Sequence, residues 1–254
     1  MKKSLLSGLV MVGVLVLTAC TSSTGPSEAY RNESQQEIYQ KGKAALEERS
    51  YSEAIKRFEA LDIQYPYGPE TESAQLYLIY AYYMKEEYPM ASAAAERFIR
   101  LHPASPHVDY AYYLRGLSDY YQNMGIFERL LTLDLATRDL TQIQKSYNSF
   151  DTLVRDYPNS PYAPSAYQYL IYLRNMMADH ELQVGEFYYS RKAYVAAVER
   201  ASGVVAHFQG APATKQALIL MVKSYHQLGE TKLEQDTLAT LRYNYPNTSL
   251  NFIS

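Results

Sequence analysis

One pattern recurs along this chain at a fixed spacing of 37 residues. A tyrosine, an alanine and a proline of one copy return in the next: Tyr51, Ala54 and Pro66 become Tyr88, Ala91 and Pro103. Tetratricopeptide repeats are helix-turn-helix units with a period in the mid-thirties, small residues where the helices touch and a proline after the second helix. The spacing therefore predicts an all-α fold, a superhelix of stacked helix pairs.

Weaker copies extend the array to about five repeats, or ten helices. Phe150 and Pro158 mark a third copy, which carries an insertion of about 18 residues between its two helices. A fourth copy begins at Tyr194 and lacks the proline, and Pro246 closes a fifth. The alternative is a helical bundle in which the prolines recur by coincidence.

Local signals mark several helix ends. Ser34 with Glu37, and Ser50 with Glu53, match the capping box, in which each side chain bonds the backbone N–H of the other residue. Residues 164–191 contain one glycine and no proline after the first position, so they predict a helix longer than the others. The Asn-Gly and Asp-Gly turns that signal β-hairpins do not occur.

The first residues match a secretory signal peptide that ends in a lipidation site. Two lysines precede an apolar run over residues 5–17, which is too short to cross a bilayer as a helix. The segment Leu17-Thr18-Ala19-Cys20 then resembles the lipobox of bacterial lipoproteins. That resemblance implies that residues 1–19 are removed, and that Cys20 receives diacylglycerol on its thiol and an acyl chain on its new amino group. The alternative is an ordinary secretory signal that ends at a cysteine by chance.

The residues that follow Cys20 predict where the protein is held. Three acyl chains would make attachment to a membrane effectively permanent. No aspartate follows the cysteine, which by resemblance to other lipoproteins favours the outer membrane, on its periplasmic face. Residues 20–32 are rich in Ser, Thr and Gly, and we expect a flexible tether of roughly 20 Å there.

Charge and motif content exclude several classes of function. The formal charge of −3 becomes about −5 when the two signal-peptide lysines are removed, so we expect no nucleic-acid partner. His180 and Glu181 begin like a zinc-protease helix, but Val184 stands where that motif has its second histidine. Phosphate-binding loops and nucleophile motifs are absent, and a periplasmic hydrolase would need a triad that the sequence does not show. We therefore expect a non-enzymatic binding protein with no metal and no cofactor besides the lipid.

Several stretches, behind the lipobox and in this order, resemble the BamD (ComL) family of outer-membrane β-barrel assembly lipoproteins. They are residues 61–69, 78–83, 97–103, 114–117, 153–160 and 186–189. The resemblance implies five tetratricopeptide repeats and no catalysis. It also implies three kinds of partner: the barrel-assembly protein BamA, smaller accessory lipoproteins, and unfolded outer-membrane proteins. The alternative is another lipid-anchored tetratricopeptide adaptor, one that serves envelope or pilus assembly.

The N-terminal repeats, residues 33–122, are predicted to form a substrate groove. Certain positions of each first helix face the concave side of such arrays, and here they hold Tyr39, Lys43, Glu47, Tyr80, Tyr83, Tyr113, Tyr120 and Tyr121. The chain has 27 Tyr, 7 Phe and no Trp, and tyrosine joins a large apolar face to a polar tip. These tyrosines either line a site for an extended, partly aromatic peptide or pack against neighbouring helices.

The C-terminal repeats, residues 141–246, are predicted to dock the barrel-assembly protein. By resemblance, Arg200 matches an arginine that pairs with a carboxylate of that protein's last soluble domain, and Arg191 aligns with a second basic position. A guanidinium suits this contact because it can bind a carboxylate through two parallel hydrogen bonds. The alternative is a solvated surface arginine. The insertion, residues 123–140, is apolar enough to be either a lid or a partner contact, and residues 247–254 form a tail.

Overall fold

The computed structural model describes Gly25 and residues 28–122 and 139–248. Within these ranges the chain forms ten α-helices and no β-strand. In chain order they are α1 (Gln35–Glu47), α2 (Tyr51–Gln64), α3 (Thr71–Met84), α4 (Tyr88–Leu101), α5 (Val108–Gln122), α6 (Thr141–Asp156), α7 (Ala163–Ser190), α8 (Tyr194–His207), α9 (Ala213–Leu228) and α10 (Thr231–Asn244). The predicted signal peptide, Cys20, most of the insertion and most of the tail lie outside the described residues.

Each helix packs against the next one along the chain, including α5 and α6, which the insertion separates. In addition, α1 contacts α3, α3 contacts α5, and α7 contacts α9. The first helices of successive repeats therefore lie side by side, as in stacked helix pairs. This arrangement confirms the predicted all-α repeat fold.

The second helix of each of the first three repeats supplies one fully buried phenylalanine. Phe58 on α2, Phe98 on α4 and Phe150 on α6 are each at most 1% exposed. The repeated alanines, Ala54 and Ala91, are also fully buried, because they lie where neighbouring helices touch. Burying a phenylalanine side chain contributes about 1.5–3 kcal/mol, so each repeat carries its own share of the core.

One of the two predicted capping boxes forms. The Ser34 side chain accepts a hydrogen bond from the Glu37 backbone, and the Glu37 carboxylate accepts one from Ser34 N at 2.8 Å. The prediction for Ser50 is wrong, because its side chain makes no capping bond and its backbone has ψ 64° rather than an extended value. Its intended partner, Glu53, is instead held by Arg57, with Nε 2.8 Å from the carboxylate.

The predicted long helix is α7, with 28 residues. Its length is about 42 Å at 1.5 Å per residue. Pro164 lies in its first turn, where the missing N–H costs no helical hydrogen bond. Leu173 packs into the core of the third repeat, and Leu182 packs against α8 and α9, so α7 joins the two halves of the array. Among the described residues, no helix is both long and apolar enough to span a bilayer.

The chain is already packed against the first repeat before α1 begins. The carbonyl oxygen of Ala29 accepts a hydrogen bond from Gln64 Nε2 at 2.6 Å. The Tyr30 hydroxyl donates to Glu53 at 2.9 Å, and the Arg57 guanidinium lies 4.2 Å from the centre of the Tyr30 ring. The predicted tether runs to residue 32, whereas the structure places its last residues on the surface of α2.

Candidate functional site

A cavity of about 680 Å³ opens on the face formed by α1, α3 and α5, and the start of α7 closes one end of it. This volume is within the range of sites that bind small ligands or peptide side chains. Its aromatic lining comes from Tyr77, Tyr80, Tyr110 and Tyr162. Its charged and titratable lining comes from Lys43, Glu47, His107 and Asp109. We call this cavity, with these eight residues, the groove.

Three of the eight predicted groove residues line it directly: Lys43, Glu47 and Tyr80. Lys43 extends from α1, and its ammonium nitrogen lies 5.7 Å from the centre of the Tyr39 ring. In the part of the chain that the structure describes, Lys43 has no carboxylate within ion-pair distance. The groove therefore presents an unneutralised cation beside an aromatic wall.

Two further predicted residues support the groove from beside it. Tyr39 packs against the Phe58 ring, with centroids 6.5 Å apart, and against Tyr77 at 6.1 Å. Tyr113 stacks on Tyr162 at 5.0 Å, with an interplanar angle of 21°. These rings hold the lining side chains Tyr77 and Tyr162 in place, so Tyr39 and Tyr113 pack against neighbouring helices, which was one of the two alternatives.

The remaining three predicted residues, Tyr83, Tyr120 and Tyr121, lie in a neighbouring aromatic cluster, which Phe150 connects to Tyr113. Its other members are Tyr88, Tyr169 and Tyr172. Tyr121 stacks on Tyr88 at 5.5 Å, and Tyr120 meets Tyr169 edge-on at 5.5 Å. None of these side chains lines the groove. Their role in binding stays a prediction, whereas their contacts show that they join α3, α4, α5 and α7.

Five groove residues were missing from the sequence prediction: Tyr77, His107, Asp109, Tyr110 and Tyr162. Tyr77 precedes Tyr80 by three positions, so the helical spacing alone places both on one face of α3. Ser73 on α3 also lines the cavity, and Tyr110 follows it by 37 residues, the repeat spacing. Tyr110 could therefore have been found from the repeat. His107 and Tyr162 lie before α5 and α7, where a helical register makes no prediction.

Burial keeps the hydroxyls of this face protonated. It raises the pKa of Tyr110, and the nearby Tyr162 hydroxyl raises it further. Burial also raises the pKa of Tyr39 and of Tyr120, where a hydrogen bond with Tyr172 adds to the effect. An unperturbed tyrosine has a pKa near 10, so these side chains are neutral hydrogen-bond donors and acceptors at physiological pH.

On the C-terminal repeats, Arg200 lies at the surface of α8 and pairs with α7. Its Nη1 donates to Glu181 Oε2 at 2.9 Å, and this bond raises the pKa of Arg200. The close approach of the two helices depends on Gly185, since a Cβ there would lie 3.4 Å from the Arg200 Cβ and 3.0 Å from Leu220. The Arg200 side chain remains 45% exposed, and its hydrogen bond to Glu181 uses only Nη1 of the guanidinium.

Arg191 lies at the end of α7, close to exposed apolar side chains. Its guanidinium carbon is 5.3 Å from the centre of the Phe187 ring. Phe187 is 55% exposed and Val195, at the start of α8, is 69% exposed. Cations beside exposed apolar groups are typical of surfaces that bind proteins. We call Phe187, Arg191, Val195 and Arg200 the C-terminal surface.

No group of histidine, cysteine or acidic side chains suited to hold a metal ion occurs among residues 28–122 and 139–248. The groove contains one histidine and two carboxylates, and the serine beside His107, Ser105, accepts a hydrogen bond from the His107 backbone N–H at 3.2 Å. The described residues supply a cavity lined by tyrosines and, on the C-terminal repeats, an exposed surface with two arginines.

Comparison with known proteins gives one family over most of the chain. The family YfiO, described as outer membrane lipoprotein, matches residues 31–241. The outer membrane protein assembly factor BamD of Neisseria meningitidis is 32% identical over 98% of this chain and 93% of its own length. BamD of Vibrio cholerae is 32% identical over 96% of this chain and 99% of its own length, and BamD of Haemophilus influenzae is 33% identical over 98% and 93%. The chain therefore belongs to the BamD (YfiO) family of outer membrane lipoproteins, and its role is that of a non-enzymatic outer membrane protein assembly factor.

Proposed function

We propose that this protein is a lipid-anchored factor that binds segments of unfolded outer-membrane proteins and presents them to a BamA-like barrel-assembly protein. The observation that carries the proposal is the groove, an open aromatic cavity on the concave face of the repeats. Accessory lipoproteins are further proposed partners. Membership of the BamD family supports the assembly role. The chemistry of the groove supports substrate binding there, and the chemistry of the C-terminal surface supports docking to the barrel-assembly protein.

The groove suits an extended peptide that is rich in aromatic residues. Segments of β-barrel proteins alternate apolar and polar residues, and an extended backbone leaves its N–H and C=O groups unpaired. Tyr77, Tyr80 and Tyr110 offer apolar ring faces to the side chains and hydroxyls to the backbone. Lys43 offers a cation to a carboxylate of the same segment, such as its C-terminus.

The C-terminal surface suits docking to a protein with exposed carboxylates. Arg200 uses only Nη1 for Glu181, and this bond orients the guanidinium. Phe187, which contacts Arg191, and Val195 at the start of α8 supply exposed apolar area. Interfaces of this kind combine a few aromatic and arginine anchors with apolar surroundings. Docking at one end of the array leaves the groove open at the other.

The proposed anchor is the lipid on Cys20, which would hold the repeats at the periplasmic face of the outer membrane. An adaptor that is fixed to the membrane meets its substrates where they are inserted. Membrane attachment by several acyl chains persists for the life of the protein, whereas a single chain binds reversibly.

Depletion of the protein in the bacterium that produces it tests the proposal. Folded β-barrel proteins resist unfolding by detergent unless heated, so their folded fraction can be measured on gels. We expect this fraction to fall on depletion and to recover when the wild-type gene is restored. Normal barrel folding together with a defect in pilus or peptidoglycan assembly would support the other adaptor instead.

A further inference from the structure

A fully exposed aromatic side chain lies on the turn between α2 and α3. Tyr67 is 99% exposed, more than any other large apolar side chain of the described residues. The turn is held firmly, since the Gly68 N–H donates to the Tyr65 carbonyl at 3.1 Å and the Thr71 hydroxyl donates to the same oxygen at 2.5 Å. A rigid turn therefore presents this ring to the outside, away from the groove, which Tyr67 does not line.

The same turn lies against the segment by which the chain enters the first repeat. Gln64 donates to the carbonyl of Ala29, and the Tyr65 hydroxyl donates to the carbonyl of Glu33 at 3.4 Å. On the other side of Tyr67, the Gln35 side chain occupies the space where Gly68 would carry a Cβ. Tyr67 is thus flanked on both sides by residues that contact the entering chain.

The distance from this point to the proposed lipid is short. The carbonyl of Gly25 accepts hydrogen bonds from the backbone of Glu28 at 2.9 Å and of Ala29 at 3.1 Å. From Gly25 back to Cys20 the chain has five residues, which span at most about 18 Å when fully extended. This reach is less than half of the length of α7, about 42 Å. The edge of the array that carries the Tyr67 turn must therefore lie close to the membrane.

Two other apolar side chains are exposed at the same edge. Ile63, in the last turn of α2, is 52% exposed, and Leu101, the last residue of α4, is 51% exposed. The helices α2 and α4 are the second helices of neighbouring repeats, so their C-terminal ends lie at one edge of the array. The α1 start, where the chain enters, lies at that edge as well, because α1 and α2 form an antiparallel pair.

We propose that the Tyr67 turn contacts the interfacial region of the outer membrane's inner leaflet and orients the array beneath it. The inference rests on the proposed lipid anchor at Cys20. Tyrosine suits this region because its ring enters the headgroup boundary while its hydroxyl remains in water. With Ile63 and Leu101 beside it, the turn is a second, weak attachment that fixes which edge of the repeats faces the bilayer. The groove then opens at the side of the array, within reach of the membrane.

Fluorescence can test this contact because the chain contains no tryptophan. Tyr67→Trp places a single tryptophan at the turn. Tyr243→Trp is the matched control, since Tyr243 is 88% exposed and lies on the last helix, α10. Each lipidated full-length variant is reconstituted alone into vesicles of phosphatidylethanolamine and phosphatidylglycerol, with and without bromine on the acyl chains. The double variant Cys20→Ala with Tyr67→Trp is the reference sample, because it shows the tryptophan emission of a protein that has no lipid anchor.

We expect the emission from position 67 to shift to shorter wavelength on the vesicles and to be quenched by the brominated lipid, while position 243 shows neither effect. Flotation of the vesicles reports the anchor separately. Protein that floats with the vesicles but shows no quenching at position 67 overturns the membrane contact and leaves the anchor intact. Equal quenching at positions 67 and 243 overturns the orientation. Full-length protein with Cys20 intact that fails to float with the vesicles overturns the lipid anchor. The proposed membrane contact of Tyr67 is then overturned as well.

Discussion

Gly42 on α1 lies directly against the ring of Phe58 on α2. A Cβ on this glycine would be 2.7 Å from Cε1 of the ring, closer than real contacts of this kind. The relationship recurs in the third repeat, where a Cβ on Gly116 would lie 2.7 Å from Cε1 of Phe150. The absence of a side chain thus lets two helices approach until a fully buried ring fills the space between them.

Gly42→Ala should therefore destabilise the protein, although alanine favours helices. Overpacking a core site typically costs about 1–3 kcal/mol, which exceeds the gain of at most about 1 kcal/mol from helix propensity. Gly203→Ala is the matched control, since no atom lies within 4 Å of the added Cβ on α8. We expect a lower free energy of unfolding for the first variant in urea titrations and an unchanged or higher one for the second. Equal stabilities would contradict the packing account.

Arg200→Glu should disrupt docking to the barrel-assembly protein without unfolding the repeats. The change places two carboxylates face to face, since Glu181 lies 2.9 Å from the present guanidinium, and it repels an acidic partner as well. Arg155→Glu is the control, because Arg155 also forms an ion pair, with Asp151 of its own helix at 2.8 Å, but lies outside the C-terminal surface. We expect loss of co-purification for the first variant and not the second, with equal helicity by circular dichroism. Equal co-purification of both would remove Arg200 from the interface.

Tyr80→Ala should weaken the binding of a synthetic peptide from the C-terminus of a β-barrel protein. Truncating a tyrosine hot spot costs about 2 kcal/mol or more, which is more than a tenfold loss of affinity. The control is Tyr243→Ala, which removes an exposed tyrosine far along the array. Melting temperature must be measured beside affinity, because Tyr80 also packs against the core of the neighbouring repeat. Normal melting with normal affinity would exclude Tyr80 from the binding site.

Cys20→Ala should release the protein from the outer membrane, because only a thiol accepts the diacylglyceryl group. We expect the variant in the soluble periplasmic fraction or as an unprocessed precursor. Cell fractionation followed by immunoblotting checks this result. Normal processing together with normal membrane retention would show that the interpretation of residues 17–20 as a lipobox is wrong.

The repeat fold could be predicted because its determinants are local. The spacing of Tyr51, Ala54 and Pro66 reports the length of a helix pair, and Phe58 and Phe150 follow from the same register. The long helix α7 was also predictable, since it needs only a stretch without breakers. The capping box at Ser50 was not predictable from local signals alone, because Glu53 accepts a hydrogen bond from Tyr30, 23 residues earlier, besides its ion pair with Arg57.

The groove was only partly predictable, because its shape depends on how successive repeats tilt. A helical register places Lys43 and Tyr80 on the concave face, but it does not decide which concave residues meet around one cavity. Tyr83 and Tyr120 have the correct register, but they do not line the groove and pack instead against Tyr88 and Tyr169. His107 and Tyr162 enter the groove from the segments between helices, whose paths no periodicity describes.

Site-specific photo-crosslinking at position 80 tests the central claim most directly. A photoreactive amino acid in place of Tyr80 is illuminated in living cells while β-barrel proteins are being assembled, with position 243 as the control. The account predicts crosslinks to unfolded barrel proteins from position 80 and few or none from position 243. Crosslinks to barrel proteins from position 243 but not from position 80 would contradict it.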